Sequence, residues 1–287
     1  MNDLDLSIDG LRQAYQNGLT PRLLLKQLYE RIQSHADNPV WISLLDAAAL
    51  EAYCQNLDGR SMDDLPLFGV PFAVKDNIDL AGLPTTAACP EFAFAPTVHA
   101  TVVQRLIDAG AIPLGKTNLD QFATGLNGTR SPYGAPYNPR NRDYISGGSS
   151  SGSAVAMALN LVSFALGTDT AGSGRVPAAL NNLIGVKPTR GLLSCTGVLP
   201  TCRTLDCVSI FALNTDDAQT VLTLAEGFDA QDAYSRANVY DNAPMHYGLW
   251  EGAFRFGVPL DEQLDFCGDS EAKKLFDQSV ARLKSIG

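Results

Sequence analysis

The sequence predicts an α/β fold, a β-sheet covered by helices on its faces, and three observations carry that reading. Strand-like runs at residues 69–74 and 111–114 alternate with helical ones such as 101–109, the pattern of a sheet with helices packed on it. Residues 154–159 and 161–166 are among the most apolar stretches of the chain, fitting a buried helix followed by a returning buried strand. The 287 residues are 45% hydrophobic and 18% charged, enough apolar surface for a large core.

Taken in order, the opening reads as two helices. Leu11, Tyr15 and Leu19 give way to Thr20-Pro21, an N-cap followed by proline at the first helical position. Leu23, Leu24, Leu25, Leu28 and Ile32 then recur at helical spacing, predicting a helix over 21–34. Residues 40–44 read as a short strand and 46–57 as another helix, so a helical region of about 1–58 precedes an α/β core from about 60. No linker rich in proline or charge divides the chain and no repeat recurs, predicting one domain over 1–287. Near the end, residues 254–260 read as a strand. Residues 270–284 read as a helix with Ala272, Leu275, Phe276, Val280 and Leu283 on one face.

Charge and composition narrow the function classes. The net charge of −10 gives no footprint for nucleic acid or an anionic membrane. No apolar run reaches the roughly 18 residues of a membrane helix, and the acidic start Met1-Asn2-Asp3-Leu4-Asp5 lacks the basic region of a secretory signal, so a cytoplasmic location is expected. The six cysteines have no C-x-x-C spacing and are read as free thiols. His35, His99 and His246 are dispersed, giving no ligand set for a metal. Gly110-Ala111-Ile112-Pro113-Leu114-Gly115-Lys116-Thr117 matches a phosphate-loop pattern by letters, but a helix precedes it and the would-be loop is apolar. It is read as a buried strand.

The chemistry-bearing stretch is Ser146-Gly147-Gly148-Ser149-Ser150-Ser151-Gly152-Ser153. Its composition is that of a flexible linker, but the apolar segments that follow make it a tight turn feeding a buried helix. Gly167-Thr168-Asp169-Thr170-Ala171-Gly172-Ser173-Gly174-Arg175-Val176-Pro177 is a second small-residue turn, leading into a helix from about Pro177. A helix of about eight residues and a return strand of about six would bring the two turns to one edge of the sheet. Exposed N–H groups over Thr170, Ala171, Gly172 and Ser173 would then form an oxyanion hole. No histidine is placed to act as base. Lys75, after the apolar strand, is the candidate, with a solvated strand-end lysine as the alternative.

Val74-Lys75-Asp76-Asn77 and these two turns together resemble the amidase signature family, with 74 residues from Lys75 to Ser149 and 24 from Ser149 to Ser173. The resemblance implies a mixed sheet between helices and hydrolysis of amides by a Ser–cis-Ser–Lys triad without a cofactor. It makes Ser173 the nucleophile, Ser149 the bridging serine after a cis peptide, and Lys75 the base. Ser151, Ala171 and Gly174 depart from the commonest family pattern. The residues around Ser173, together with Lys187-Pro188-Thr189-Arg190-Gly191, Thr204-Leu205-Asp206-Cys207-Val208-Ser209 and residues 117–125, resemble the allophanate hydrolase branch.

In that branch the loop around Thr124 and Gly125 lines the substrate site. Arg175 would orient substrate, with pairing to Asp169 as the alternative, while Asp206 and Arg190 are read as loop-fixing groups. The resemblance further implies that the chain is the front portion of a longer amidase domain, with the arginine and tyrosine that hold the substrate carboxylate beyond residue 287. The expected partner is a small-molecule amide, acted on by the protein alone or as a homodimer. A broad-specificity amidase, an inactive fragment and one subunit of an amidotransferase remain as rival readings.

Overall fold

The computed structural model describes residues 4–239 and 253–286, which places His246 outside the described residues. The chain divides into two compact units, Met1–Tyr240 and Asp241–Gly287.

The first unit is built on a six-stranded sheet in the order β1-β3-β2-β4-β6-β5. Its strands are β1 (Trp41–Leu44), β2 (Pro71–Lys75), β3 (Ile112–Thr117), β4 (Phe164–Thr168), β5 (Ile184–Val186) and β6 (Val208–Ala212). The sheet is mixed: β2 runs parallel to both neighbours, β3 and β4, while β1, β6 and β5 pair antiparallel. Every residue of β2, β3, β4 and β6 is buried. Since successive side chains point to opposite faces, both faces must be covered. Phe72 of β2 and Phe164 of β4 stack across the centre with ring centroids 4.9 Å apart.

The helical front is part of this sheet rather than a separate body, because β1 forms its edge. Helices α1 (Ile8–Gln16), α2 (Pro21–Ser34) and α3 (Ala47–Leu57) start where their caps say they should. The Ser7, Thr20 and Asp46 side chains each accept the amide three residues on, satisfying donors that have no partner inside the helix. In α2, Leu24, Leu25, Leu28 and Ile32 are buried, whereas Leu23 is exposed.

Helix α4 (Thr101–Asp108) leads into β3, and that strand contains the phosphate-loop look-alike. Lys116 there is wholly buried and paired with Asp76 at 3.0 Å. Its ammonium also donates to the Thr85 hydroxyl at 2.9 Å, so it is committed to the core.

Helix α5 (Ser151–Ala158) packs against β2, β3, β4 and β6, and α7 (Thr215–Ala225) against β5 and β6. Between them α6 (Arg175–Leu180) begins at Arg175, two residues before the Pro177 expected from sequence. The Asp169 carboxylate accepts the Gly174 and Arg175 amides at 3.1 Å each and so starts the helix earlier. No helix of the described residues is long and apolar enough to cross a membrane.

In the second unit, residues 270–284 are helical as expected, within α8 (Ser270–Ile286), although none of its described residues is buried. The strand expected over 254–260 is absent: residues 253–260 have no regular structure. A strand-like pattern needs a neighbouring strand to complete its hydrogen bonds, and none pairs with this stretch among the described residues.

Candidate active site

Lys75 ends β2 at the centre of the sheet, where its Val74 neighbour pairs with Lys116 of β3 and Leu166 of β4. Its side chain is wholly buried. The amine donates to the Ser149 hydroxyl at 2.7 Å and to the Thr168 hydroxyl at 2.7 Å. Burial lowers its pKa to about 7, against the opposing charges of Asp120, Asp169 and Asp206. Burial thus favours the free base, the form able to accept a proton, far more than in an ordinary lysine.

Ser149 comes from the Gly/Ser run, which is not slack. The Gly148–Ser149 peptide is cis, and the Ser149 carbonyl accepts the Asp120 amide at 3.0 Å. Gly152, in the first turn of α5, has room for no side chain: a methyl there would meet the Val40 carbonyl at 2.5 Å and the Asn118 amide at 2.6 Å. The serines around it bond to the sheet. The Ser150 hydroxyl donates to the Thr168 carbonyl at 3.2 Å and accepts the Thr168 amide at 3.3 Å. Ser153 donates to the Leu166 carbonyl at 2.9 Å.

Ser173 stands in the turn after β4, buried to 5% exposure. Its carbonyl accepts the Ser150 amide at 3.3 Å, which brings the two serine-bearing turns side by side. Its hydroxyl is directed at the Gly125 carbonyl at 3.5 Å, the far limit of hydrogen bonding. A staggered rotation about χ1 would release that weak contact at little cost.

Two carboxylates shape this turn. Asp169 accepts from the Gly172 amide at 2.8 Å and is bridged by Arg175 at 2.9 and 3.0 Å. Burial works to raise the Asp169 pKa, but bonds from Arg175, Gly172 and Gly174 outweigh it and keep the carboxyl below its usual range. Asp206 accepts from the Thr170 hydroxyl at 2.5 Å and from the Thr201 and Cys202 amides at 3.0 Å.

The residues expected from sequence therefore fall into two groups. Lys75 and Ser149 are in direct contact, while Ser173 lies in the adjacent turn with its hydroxyl towards Gly125 rather than Ser149. Arg175, two residues after Ser173, commits its Nε and Nη2 groups to Asp169, the alternative the sequence leaves open for it. The Thr124 hydroxyl turns back to the Gln121 carbonyl at 2.8 Å. Of the four amides expected to face an oxyanion, that of Gly172 is taken by Asp169, while those of Thr170, Ala171 and Ser173 donate to no acceptor among the described residues.

Sequence reasoning assigned no role to Thr168 or Asp120. Thr168 lies within the quoted turn motif, and the one signal for it is the pairing of β2 with β4, invisible before the topology is known. Among the described residues no group of three or more His, Cys, Asp or Glu side chains is placed to hold a metal ion.

Comparison with known proteins gives consistent relatives. The family described as Amidase matches residues 24–287. The urea amidolyase of Lachancea kluyveri is 48% identical over 268 residues, covering 92% of this chain and 14% of that protein. A glutamyl-tRNA(Gln) amidotransferase subunit from Acidobacterium capsulatum is 38% identical over 289 residues, covering 99% of this chain and 60% of that one. Among solved structures, the selenomethionine-substituted allophanate hydrolase of Kluyveromyces lactis superposes with a TM-score of 0.76 at 51% identity, covering 81% of this chain and 39% of that one. The chain thus spans less than two thirds of the length of each of these relatives.

Proposed function

The chain belongs to the amidase family, and from that membership we propose that it hydrolyses a small linear amide through a seryl acyl-enzyme, with allophanate (urea-1-carboxylate) as substrate. The observation that carries the reading is the 2.7 Å contact between a buried Lys75 amine, its pKa lowered to about 7, and the Ser149 hydroxyl. Neutral Lys75 takes the Ser149 proton as Ser149 takes that of Ser173. The Ser173 oxygen then attacks the terminal carboxamide carbon. The negative oxygen that forms is held by the amides of Thr170, Ala171 and Ser173, which donate to no acceptor among the described residues and so are free to bond it.

As the C–N bond breaks, the proton returns through Ser149 to the leaving nitrogen and ammonia departs. Water, deprotonated by the same route, cleaves the acyl-serine ester and regenerates Ser173. The product, a carboxylated carbamate, loses carbon dioxide without help. Identity to a urea amidolyase and to an allophanate hydrolase supports this choice of amide. The reading keeps a cytoplasmic setting, no cofactor and no nucleic-acid partner, in line with the charge of −10.

A second reading is favoured by the 38% identity to an amidotransferase subunit over 99% of this chain: release of ammonia from an amide donor for use by partner chains. Ammonia release measured side by side on allophanate, glutamine and simple carboxamides separates the readings. For either, Ser173→Ala is expected to lower turnover by ~10⁴-fold and to abolish labelling by a fluorophosphonate. Retained turnover in that variant ends the assignment of Ser173.

A further inference from the structure

Asp120 takes no part in the proton path, yet it is wholly buried and joins the backbones on either side of Ser173. Its own amide donates to the Ser149 carbonyl at 3.0 Å. Its carboxylate accepts the Gly128 amide at 3.0 Å and the Arg130 amide at 2.8 Å. The Gly148 amide donates in turn to the Leu126 carbonyl at 2.8 Å.

These bonds close a ring that ties residues 120–130 to the Gly148–Ser149 turn. A methyl group on Gly125 or on Gly148 would run into the Asp120 carboxylate, so both backbones lie directly against it. Gly125, in the same strap, supplies the carbonyl that the Ser173 hydroxyl faces.

We propose that Asp120 is a positioning residue for the reaction: its carboxylate locks the Gly125 strap and the Gly148–Ser149 turn in one register around Ser173 and sets a fixed negative charge near Lys75. The inference rests on the assignment of Ser173 as nucleophile. Three carboxylates bear on Lys75, namely Asp120 after β3, Asp169 after β4 and Asp206 before β6. Asp169 is offset by Arg175 and Asp206 is held by a hydroxyl and two amides. The Asp120 carboxylate is held by backbone amides alone and has no ion pair among the described residues. It favours protonated Lys75, whereas the reaction needs the free base, so its removal lowers the pH at which Lys75 becomes competent.

The test is the rate at which a fluorophosphonate labels Ser173 in the 287-residue chain, followed over a pH range of about 5 to 9 alongside thermal melting. That readout does not depend on which amide is the substrate. Asp120→Asn removes the charge and one acceptor, so its plateau rate is expected to fall about tenfold and its rising limb to move down by about one pH unit. Asp120→Glu keeps the charge on a longer stem, so its plateau is expected to fall while the limb stays in place. A purely structural role would lower both plateaus and leave both limbs unmoved.

An unmoved limb in Asp120→Asn, or a wild-type plateau in Asp120→Glu, overturns the inference while leaving Ser173 as nucleophile. Loss of the melting transition in both variants assigns Asp120 to folding alone and overturns it too. A wild-type chain that is not labelled at Ser173 rejects the functional reading, and this one with it.

Discussion

The Arg175 guanidinium is 55% exposed on its side chain while its partner Asp169 is wholly buried, so the pair is a surface cation held by an interior anion. That asymmetry assigns Arg175 to the turn before it assigns it to substrate. Asp169 also holds the amides of Gly172, Gly174 and Arg175, and with the cation gone its charge would be left to those amides alone. Arg175→Ala is therefore expected to lower kcat about tenfold or more with KM little changed, because the turn carrying Ser173 loses its register. A rise in KM at constant kcat would restore the substrate-orienting role. The apolar strand before Lys75 marked it in the sequence as a candidate base, whereas Ser149 and Ser173 were singled out there by resemblance to the amidase signature family. The commitment of Arg175 to Asp169 is open in the sequence but not decidable there, because one arginine serves a carboxylate in the protein or in a ligand with the same geometry.

At the scale of elements, one buried acid bonds α7 to the start of α1. Asp217, in the first turn of α7, accepts the Ile8 amide at 3.1 Å and the Asn214 side-chain amide at 3.1 Å. Burial pushes its pKa up to about 6, against those bonds. The folded chain thus holds this proton more tightly than the unfolded chain does, and the group's contribution to stability falls as pH rises from about 4 to about 6. Asp217→Asn keeps an acceptor for Ile8 and removes the titration. Its stability relative to wild type is expected to rise between about pH 4 and about pH 7 by on the order of 2 kcal/mol, measured by urea unfolding at both values.

Helix α2 was legible to the residue, since Thr20-Pro21 is a local start signal. The early start of α6 was not, because its capping acid Asp169 sits at the far end of the turn, outside the helix it serves. Residues 254–260 show the converse: their pattern was strand-like, but a strand exists only through a partner.

At the scale of the whole molecule, the motifs meet because β2 sits inside the sheet with parallel neighbours on both edges, which carries the ends of β2 and β4 to the same side. Alternation of helix and strand was readable in the sequence. The order β1-β3-β2-β4-β6-β5 was not, and with it went the contacts of Thr168 and Asp120, which depend on neighbours brought in by topology rather than by spacing. The central place of β2 has a further consequence for chemical modification. Cyanate carbamylates amines in their unprotonated form, so a lysine with a pKa of about 7 has a far larger reactive fraction at neutral pH than surface lysines near ~10.4. Solvent does not reach it while β2 keeps both neighbours, so only separation of the sheet exposes it. Peptide mapping after timed cyanate exposure should show exposed Lys26 modified in the native protein and Lys75 modified only at the rate of global unfolding, when loss of burial also returns its amine to the ordinary lysine range, so that its modification records how often the whole structure comes apart.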